Sequence, residues 1–156
     1  MIHDSVQIGH YILSKVRAQS KSVVPLKLIK LTYLAHGWML GLYDKPLVSD
    51  DAEAWPYGPV FLRLYKAVKR YRYSEVLDID LGDRDPANLQ NDEQDIVQQV
   101  LKVYGDYSAS QLSDLTHRKG TPWAITWDMY NKRAVIPQDL IAQHYKEKSA
   151  TNNASE

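Results

Sequence analysis

At 156 residues the chain has the length of one domain, and folding at this size buries about 70% of the surface that the unfolded chain exposes. Its 19 basic and 19 acidic side chains balance, which removes the global field that pulls a basic protein onto nucleic acid, and the lack of cysteine excludes a disulfide framework, a thiolate zinc site and a cysteine nucleophile. No apolar run approaches the roughly 18 residues of a membrane-spanning helix, and the opening Met-Ile-His-Asp has no basic stretch ahead of an apolar one, so a cytoplasmic protein without a secretory signal is expected.

The periodicity predicts a mainly α fold: a compact helical domain around a central buried helix, with a small two- or three-stranded β element. Asp4 and Gln7 have the spacing of a capping box, and Ile8, Tyr11, Ile12 and Val16 then line one stripe of a first helix to about Ala18. Pro25 suits the first turn of a second helix, and Gly41 followed by Asp44-Lys45-Pro46 is expected to end it. That helix carries Leu26, Leu28, Ile29, Leu31, Tyr33, Leu34, Trp38, Met39 and Leu42, too many for one face, so it is the predicted buried centre. Pro46 and Pro56 bracket a short, acidic, extended segment over 47–55, after which Pro59 is expected to restart a helix through Val60, Leu64 and Val68. Leu77, Ile79 and Leu81 alternate with Asp78 and Asp80, the period of a half-buried strand that pairs with 47–55.

Another helix is expected from about Asp92 to Tyr104, and Ser108 with Gln111 caps a short one that runs to His117 and stops at Gly120. Thr121-Pro122 opens the next, with Trp123 and Trp127 one turn apart, and Pro137 begins the last, which carries Leu140, Ile141, His144 and Tyr145. A single domain is expected over residues 1–148, with the polar, aperiodic residues 149–156 as a disordered tail.

The residues with chemical potential are few. His36 and His117, with Glu53, are the groups from which a base, an acid and an orienting partner can be drawn, but nothing resembles a P-loop, a dinucleotide glycine pattern or a metal-binding histidine pair. No catalytic, cofactor-binding or metal-ligating residue is therefore assigned, and no cofactor is expected. The structural reading of His117 is a partly buried imidazole bonded to backbone, anchoring the turn into Pro122-Trp123. Lys27 and Lys30 lie three apart on an otherwise apolar helix, so one must reach solvent or pair with an acid, for which Glu53 and Asp51 are the candidates. Trp38 and Trp123 are expected inside, Trp127 nearer the surface, and Tyr57-Gly58-Pro59 is either a rigid turn or the mount of a presented tyrosine.

Three motifs recur through this reading: Lys27-Leu28-Ile29-Lys30-Leu31-Thr32-Tyr33-Leu34-Ala35-His36-Gly37-Trp38, Trp55-Pro56-Tyr57-Gly58-Pro59, and Thr116-His117 followed by Pro122-Trp123. In pattern and order they resemble the Panacea antitoxin domain family, which includes phage-associated GepA-type proteins and SocA-type antitoxins, over roughly residues 22 to 146. The resemblance implies an antitoxin that neutralises the toxin of a neighbouring gene by binding it directly. It also leaves open a proteolytic adaptor that delivers the toxin to an ATP-dependent protease. Lys27, Lys30, Tyr33, Trp38, Trp55, Tyr57, Gly58, Pro59, Thr116, His117, Pro122 and Trp123 would then be fold-supporting motif residues. The chain departs from the family at His36, where glutamine is common.

Charge is unevenly spread. Arg63, Lys66, Lys69, Arg70 and Arg72 fall within ten residues, and Glu75, Asp78, Asp80, Asp83, Asp85, Asp92, Glu93 and Asp95 follow with only Arg84 among them. Such a run is either a solvated face or a surface for a partner of opposite pattern. On the second reading Arg63, Lys66, Arg70, Asp78, Asp80, Asp83, Asp85 and Trp127 are the candidate partner-binding residues. The expected partner is a cognate toxin, with the protease as an alternative and no membrane. An enzyme using His117 and an acid is a further alternative, as is a DNA-binding autorepressor, which the Arg63–Arg72 cluster favours and the neutral charge opposes.

Overall fold

The computed structural model describes residues 2–155. The elements in chain order are α1 (Ser5–Ala18), α2 (Pro25–Tyr43), β1 (Ala52–Trp55), β2 (Gly58–Phe61), α3 (Leu62–Val68), a 3₁₀ turn (Lys69–Tyr71), α4 (Asn91–Tyr104), α5 (Ala109–His117), α6 (Pro122–Tyr130) and α7 (Gln138–Ser155). The chain is mainly α with one small antiparallel sheet, as the periodicity predicts.

The helices start where the caps are. Asp4 accepts from the Gln7 amide at 3.0 Å while the Gln7 side chain accepts from the Asp4 amide at 2.9 Å, so two of the otherwise unpaired donors at the start of α1 are satisfied. Ser108 and Gln111 do the same for α5. Pro25 opens α2, and this helix is the hub, packed against α1, α3, α4, α5, α7 and β2. Leu28, Leu31, Leu34 and Met39 are fully buried around it. α2 runs two residues past Gly41 to Tyr43 and stops at Asp44, in the left-handed conformation, where the Asp44-Lys45-Pro46 part of the expected stop begins. Gly41 instead lets α7 approach, because a Cβ there would fall 2.6 Å from the Tyr145 Cβ.

The β element differs from the expected one. Pro59 does not restart a helix: residues 58–61 form β2, which pairs with β1 in the register Ala52↔Phe61, Glu53↔Val60, Ala54↔Pro59 and Trp55↔Gly58, and α3 begins only at Leu62. A proline without an N–H suits an edge strand as well as a helix start, and β2 is an edge. The other side of β1 is taken by residues 134–136, through Ala54 N–H to the Ala134 carbonyl and Ile136 N–H to the Ala52 carbonyl, both 2.8 Å.

Residues 77–81 form no strand, and nothing there pairs with 47–55. Val76 and Ile79 are buried while Leu77 is exposed, so the chain is anchored three residues apart instead of alternating. The segment is nevertheless pinned. The Val76 amide donates to the Val23 carbonyl at 2.8 Å, Arg84 Nε to Asp4 Oδ2 at 2.5 Å, and the Gln7 side-chain amide to the Asp85 carbonyl at 2.9 Å. At the other end α7 continues past Lys148 into the segment expected as a tail, with no glycine or proline to break it. The last residue of that expected tail, Glu156, lies outside the described residues.

Candidate partner-binding surface

The three motifs meet at one turn. Pro56 and Tyr57 connect β1 to β2, and three nearby carbonyls each receive a side chain from a different helix. The Trp55 carbonyl accepts from Trp123 Nε1 of α6 at 2.6 Å, the Tyr57 carbonyl from Ser113 Oγ of α5 at 2.6 Å, and the Pro59 carbonyl from Lys30 Nζ of α2 at 2.8 Å. Gly58, with φ +113°, is what allows this convergence: a Cβ there would lie 2.9 Å from Lys30 Nζ and 3.4 Å from Thr116 Oγ1. Tyr57 itself points outward and is 74% exposed. Pro122 at the start of α6 sets Trp123 in place, and Trp123 is stacked on Trp127 with centroids 5.4 Å apart.

The lysine pairing expected from sequence does not form. Lys30 is fully buried and donates to a carbonyl, not to Glu53 or Asp51. Burial pushes its ammonium down to about 7. Glu53 accepts instead from Trp55 Nε1 at 2.9 Å, and Asp51 is exposed. Lys27 is half-buried with its Nζ on the Gly105 carbonyl at 2.6 Å, and burial lowers its pKa as well. Tyr33 is buried beneath, packed against Phe61 and Tyr145. Trp38, expected inside, is half-buried and donates to the Tyr104 hydroxyl at 3.1 Å.

The residues from which an acid–base set was drawn are each committed elsewhere. His117 Nδ1 contacts the Ser113 carbonyl one turn back, and the ring meets Trp123 edge-on at 5.3 Å. His36 is buried, with Nδ1 accepting from the Val48 amide at 3.1 Å and its ring edge-on to Phe61 at 5.7 Å. Burial depresses its pKa to about 4. The unfolded chain therefore takes up this proton near pH 6.5 and the folded chain only near 4, so stability is full above 6.5 and lost as pH falls towards 4. That loss amounts to about 3 kcal/mol at about 1.36 kcal/mol per pH unit. His36→Gln, which keeps an acceptor for Val48, is expected to flatten this limb in urea titrations between about pH 7 and 4; an unchanged slope would show that other groups carry it.

The charged candidates lie on α3, the 3₁₀ turn and the pinned segment after it. Arg63, Lys66, Arg70, Asp78, Asp80, Asp83 and Asp85 are all exposed. Few are strongly engaged: Arg63 is 3.7 Å from Asp4, Arg70 lies 4.9 Å from the Tyr71 ring centre, and Asp80 caps the Gly82 amide at 2.9 Å. Trp127 sits apart from them on α6, half-buried against Trp123.

Beside the β1–β2 turn the structure shows a groove that the sequence alone does not reveal. It encloses about 540 Å³ between Trp55, Tyr57, Lys69, Arg72, Tyr73 and Arg133, with Lys30 beneath. The Arg133 guanidinium stacks 3.7 Å from the Trp55 ring centre, and Tyr65 meets that ring at 4.9 Å. Lys69 and Arg72 belong to the basic cluster visible in the sequence; Arg133 arrives from the loop after α6, and no local signal links it to Trp55.

Among the described residues no group of histidine, aspartate or glutamate side chains is arranged to hold a metal ion, and no helix is long and apolar enough to cross a membrane. No solved structure matches the chain. A relative named Antitoxin SocA, from Caulobacter vibrioides (strain NA1000 / CB15N), is 32% identical over 131 residues, covering 78% of this chain and 69% of the relative. The family described as Antitoxin SocA-like, Panacea domain, matches residues 28–124, a stretch that holds most of α2, the sheet and the carbonyl-capped turn. With the motif junction and both similarities in agreement, the chain belongs to the SocA-like Panacea antitoxin family.

Proposed function

We propose that this protein neutralises a cognate toxin by binding it directly, through the exposed charged face formed by α3, the 3₁₀ turn and residues 72–90. The observation that carries the proposal is that the exposed charged side chains Arg63, Lys66, Arg70, Asp78, Asp80, Asp83 and Asp85 stand on or beside irregular backbone that is nonetheless tied to α1 and to Val23. Irregular segments on a fixed scaffold are suited to recognition, and a surface of both signs selects a partner of complementary pattern. Trp127 is a further candidate contact, with part of its ring left to solvent.

The test is co-expression with the adjacent gene. Growth should be restored by this chain, and the two proteins should co-purify as a stable complex in which the toxin is intact. Rescue accompanied by loss of the toxin in a protease-dependent way would favour the adaptor reading, and rescue without any complex would overturn direct binding. Charge reversals at Asp78, Asp80, Asp83 and Asp85, or at Arg63, Lys66 and Arg70, are expected to change which toxin is neutralised. They should move the melting temperature little, since exposed charges contribute about 0–1 kcal/mol each. If exchanging residues 71–90 with those of a relative leaves toxin choice untouched while changes elsewhere move it, the face is wrongly assigned.

A further inference from the structure

We infer that the groove beside the β1–β2 turn seats an acidic segment of the bound partner, held by Lys69, Arg72 and Arg133 between the exposed rings of Tyr57 and Tyr73. This rests on the direct-binding reading above and names the chemistry of one part of the contact. The lining contains three exposed cations and no carboxylate among the described residues, although the whole chain is neutral. Among the described residues Lys69, Arg72 and Arg133 form no ion pair; those of this face join Arg63 and Arg84 to Asp4.

Arg133 is already placed, lying flat on Trp55, which orients its remaining donors without a further loss of freedom. Tyr73 is 96% exposed, and with Tyr57 it gives the groove the tyrosine, tryptophan and arginine composition of interface anchors.

Other clefts carry less. The one between α1 and α4 is lined by Lys15, Lys21 and Lys102 but also by a carboxylate, Asp106, which pairs with Lys21 at 3.1 Å, and Lys15 lies over the Tyr11 ring at 5.3 Å; the apolar groove of Trp38, Leu42 and Val103 has nothing that specifies an occupant. A nucleic-acid strand also combines anionic charge with stacking surfaces, but it is anionic throughout its length. Just past Tyr73 in the chain stand Glu75, 3.9 Å from Arg17, and exposed Asp78, its amide on the Tyr71 hydroxyl at 3.2 Å, so the surface following the groove in sequence is of mixed sign and suits a uniformly anionic phosphate backbone less than a polypeptide with a short acidic run.

The experiment uses the full chain in complex with the toxin encoded beside it. p-Benzoylphenylalanine at position 73 should cross-link on irradiation to an acidic stretch of the toxin, located by mass spectrometry, whereas the same group at position 103 of α4 should not. Arg72→Glu with Arg133→Glu should weaken the complex by roughly tenfold or more at physiological salt. Reversing the cross-linked acids of the toxin to lysine should restore it, a rescue that lost folding cannot mimic. An intact complex that cross-links only from position 103, or one that the double variant binds with unchanged affinity, overturns the groove while leaving direct binding in place. Failure to form any complex overturns direct binding and the groove with it. Cross-links to a second copy of this chain, or to co-purified nucleic acid in place of the toxin, also overturn the inference.

Discussion

Trp123→Ala is expected to remove about 3 to 5 kcal/mol of stability, and with it toxin neutralisation, because it empties the space of a large buried aromatic. The indole is buried, donates to the Trp55 carbonyl at 2.6 Å, stacks on Trp127 and supports the edge of His117. Its loss therefore combines a cavity with an unsatisfied carbonyl at the turn. Trp123→Phe separates the two, since it keeps most of the apolar contact and loses the donor; a smaller cost, about 1 to 3 kcal/mol, is expected. Urea unfolding of the two variants measures both. A Trp123→Ala protein with wild-type stability that no longer neutralises would place this ring in the interface instead of the scaffold.

The second large effect is a rise in stability with alkalinity. Lys30 is held near 7 by burial, whereas an unfolded lysine titrates near 10.5. Between those values the unfolded chain binds a proton that the folded chain does not, so unfolding becomes less favourable as pH rises, by about 4 kcal/mol from pH 7 to 10. Above about pH 10 the sign reverses, because burial raises the Tyr33 and Tyr145 phenols and the folded chain then keeps protons that the unfolded chain releases. Lys27 is shifted in the same direction as Lys30 and leaves a smaller slope behind. Lys30→Met should therefore abolish most of the rise between about pH 7 and 10. At neutral pH its net effect is small, since removal of a buried charge is offset by a Pro59 carbonyl left without its donor. Equal urea midpoints for the wild type at about pH 7.5 and 9.5 would show that the amine is solvated in solution.

The helices were legible because their signals are local: Asp4 with Gln7, Pro25, Ser108 with Gln111 and Thr121-Pro122 each open the helix expected of them. The burial of α2 was legible too, from apolar residues on every face. The errors arose where one residue type serves two roles. Pro59 fits a helix start or an edge strand, and only pairing with Ala54 decides. Asp44 ends α2 within the expected stop, but the part Gly41 plays, making room for Tyr145, has no local signal. The Leu77, Ile79 and Leu81 alternation predicts a strand paired with 47–55, but β1 within that segment already has neighbours on both sides.

The candidate surface divides the same way. The basic cluster and acidic run could be read directly, but the partner of Lys30 is a carbonyl brought there by the turn, and Arg133 joins Trp55 from the far side of five helices in the chain order α3 to α6 and the 3₁₀ turn. Neither leaves a trace in residue spacing.

On the direct-binding proposal, the triply capped turn has a consequence for how fast and how selectively a partner would be bound. A loop that orders only on contact adds roughly 1–2 kcal/mol of backbone entropy per residue to the cost of association. Here that ordering accompanies folding, since the carbonyls of Trp55, Tyr57 and Pro59 are already held from three helices. Under that proposal the backbone at Tyr57 would meet each partner already fixed, encounter would require no rearrangement of its loop, and discrimination among partners at this residue would fall on how long each complex lasts.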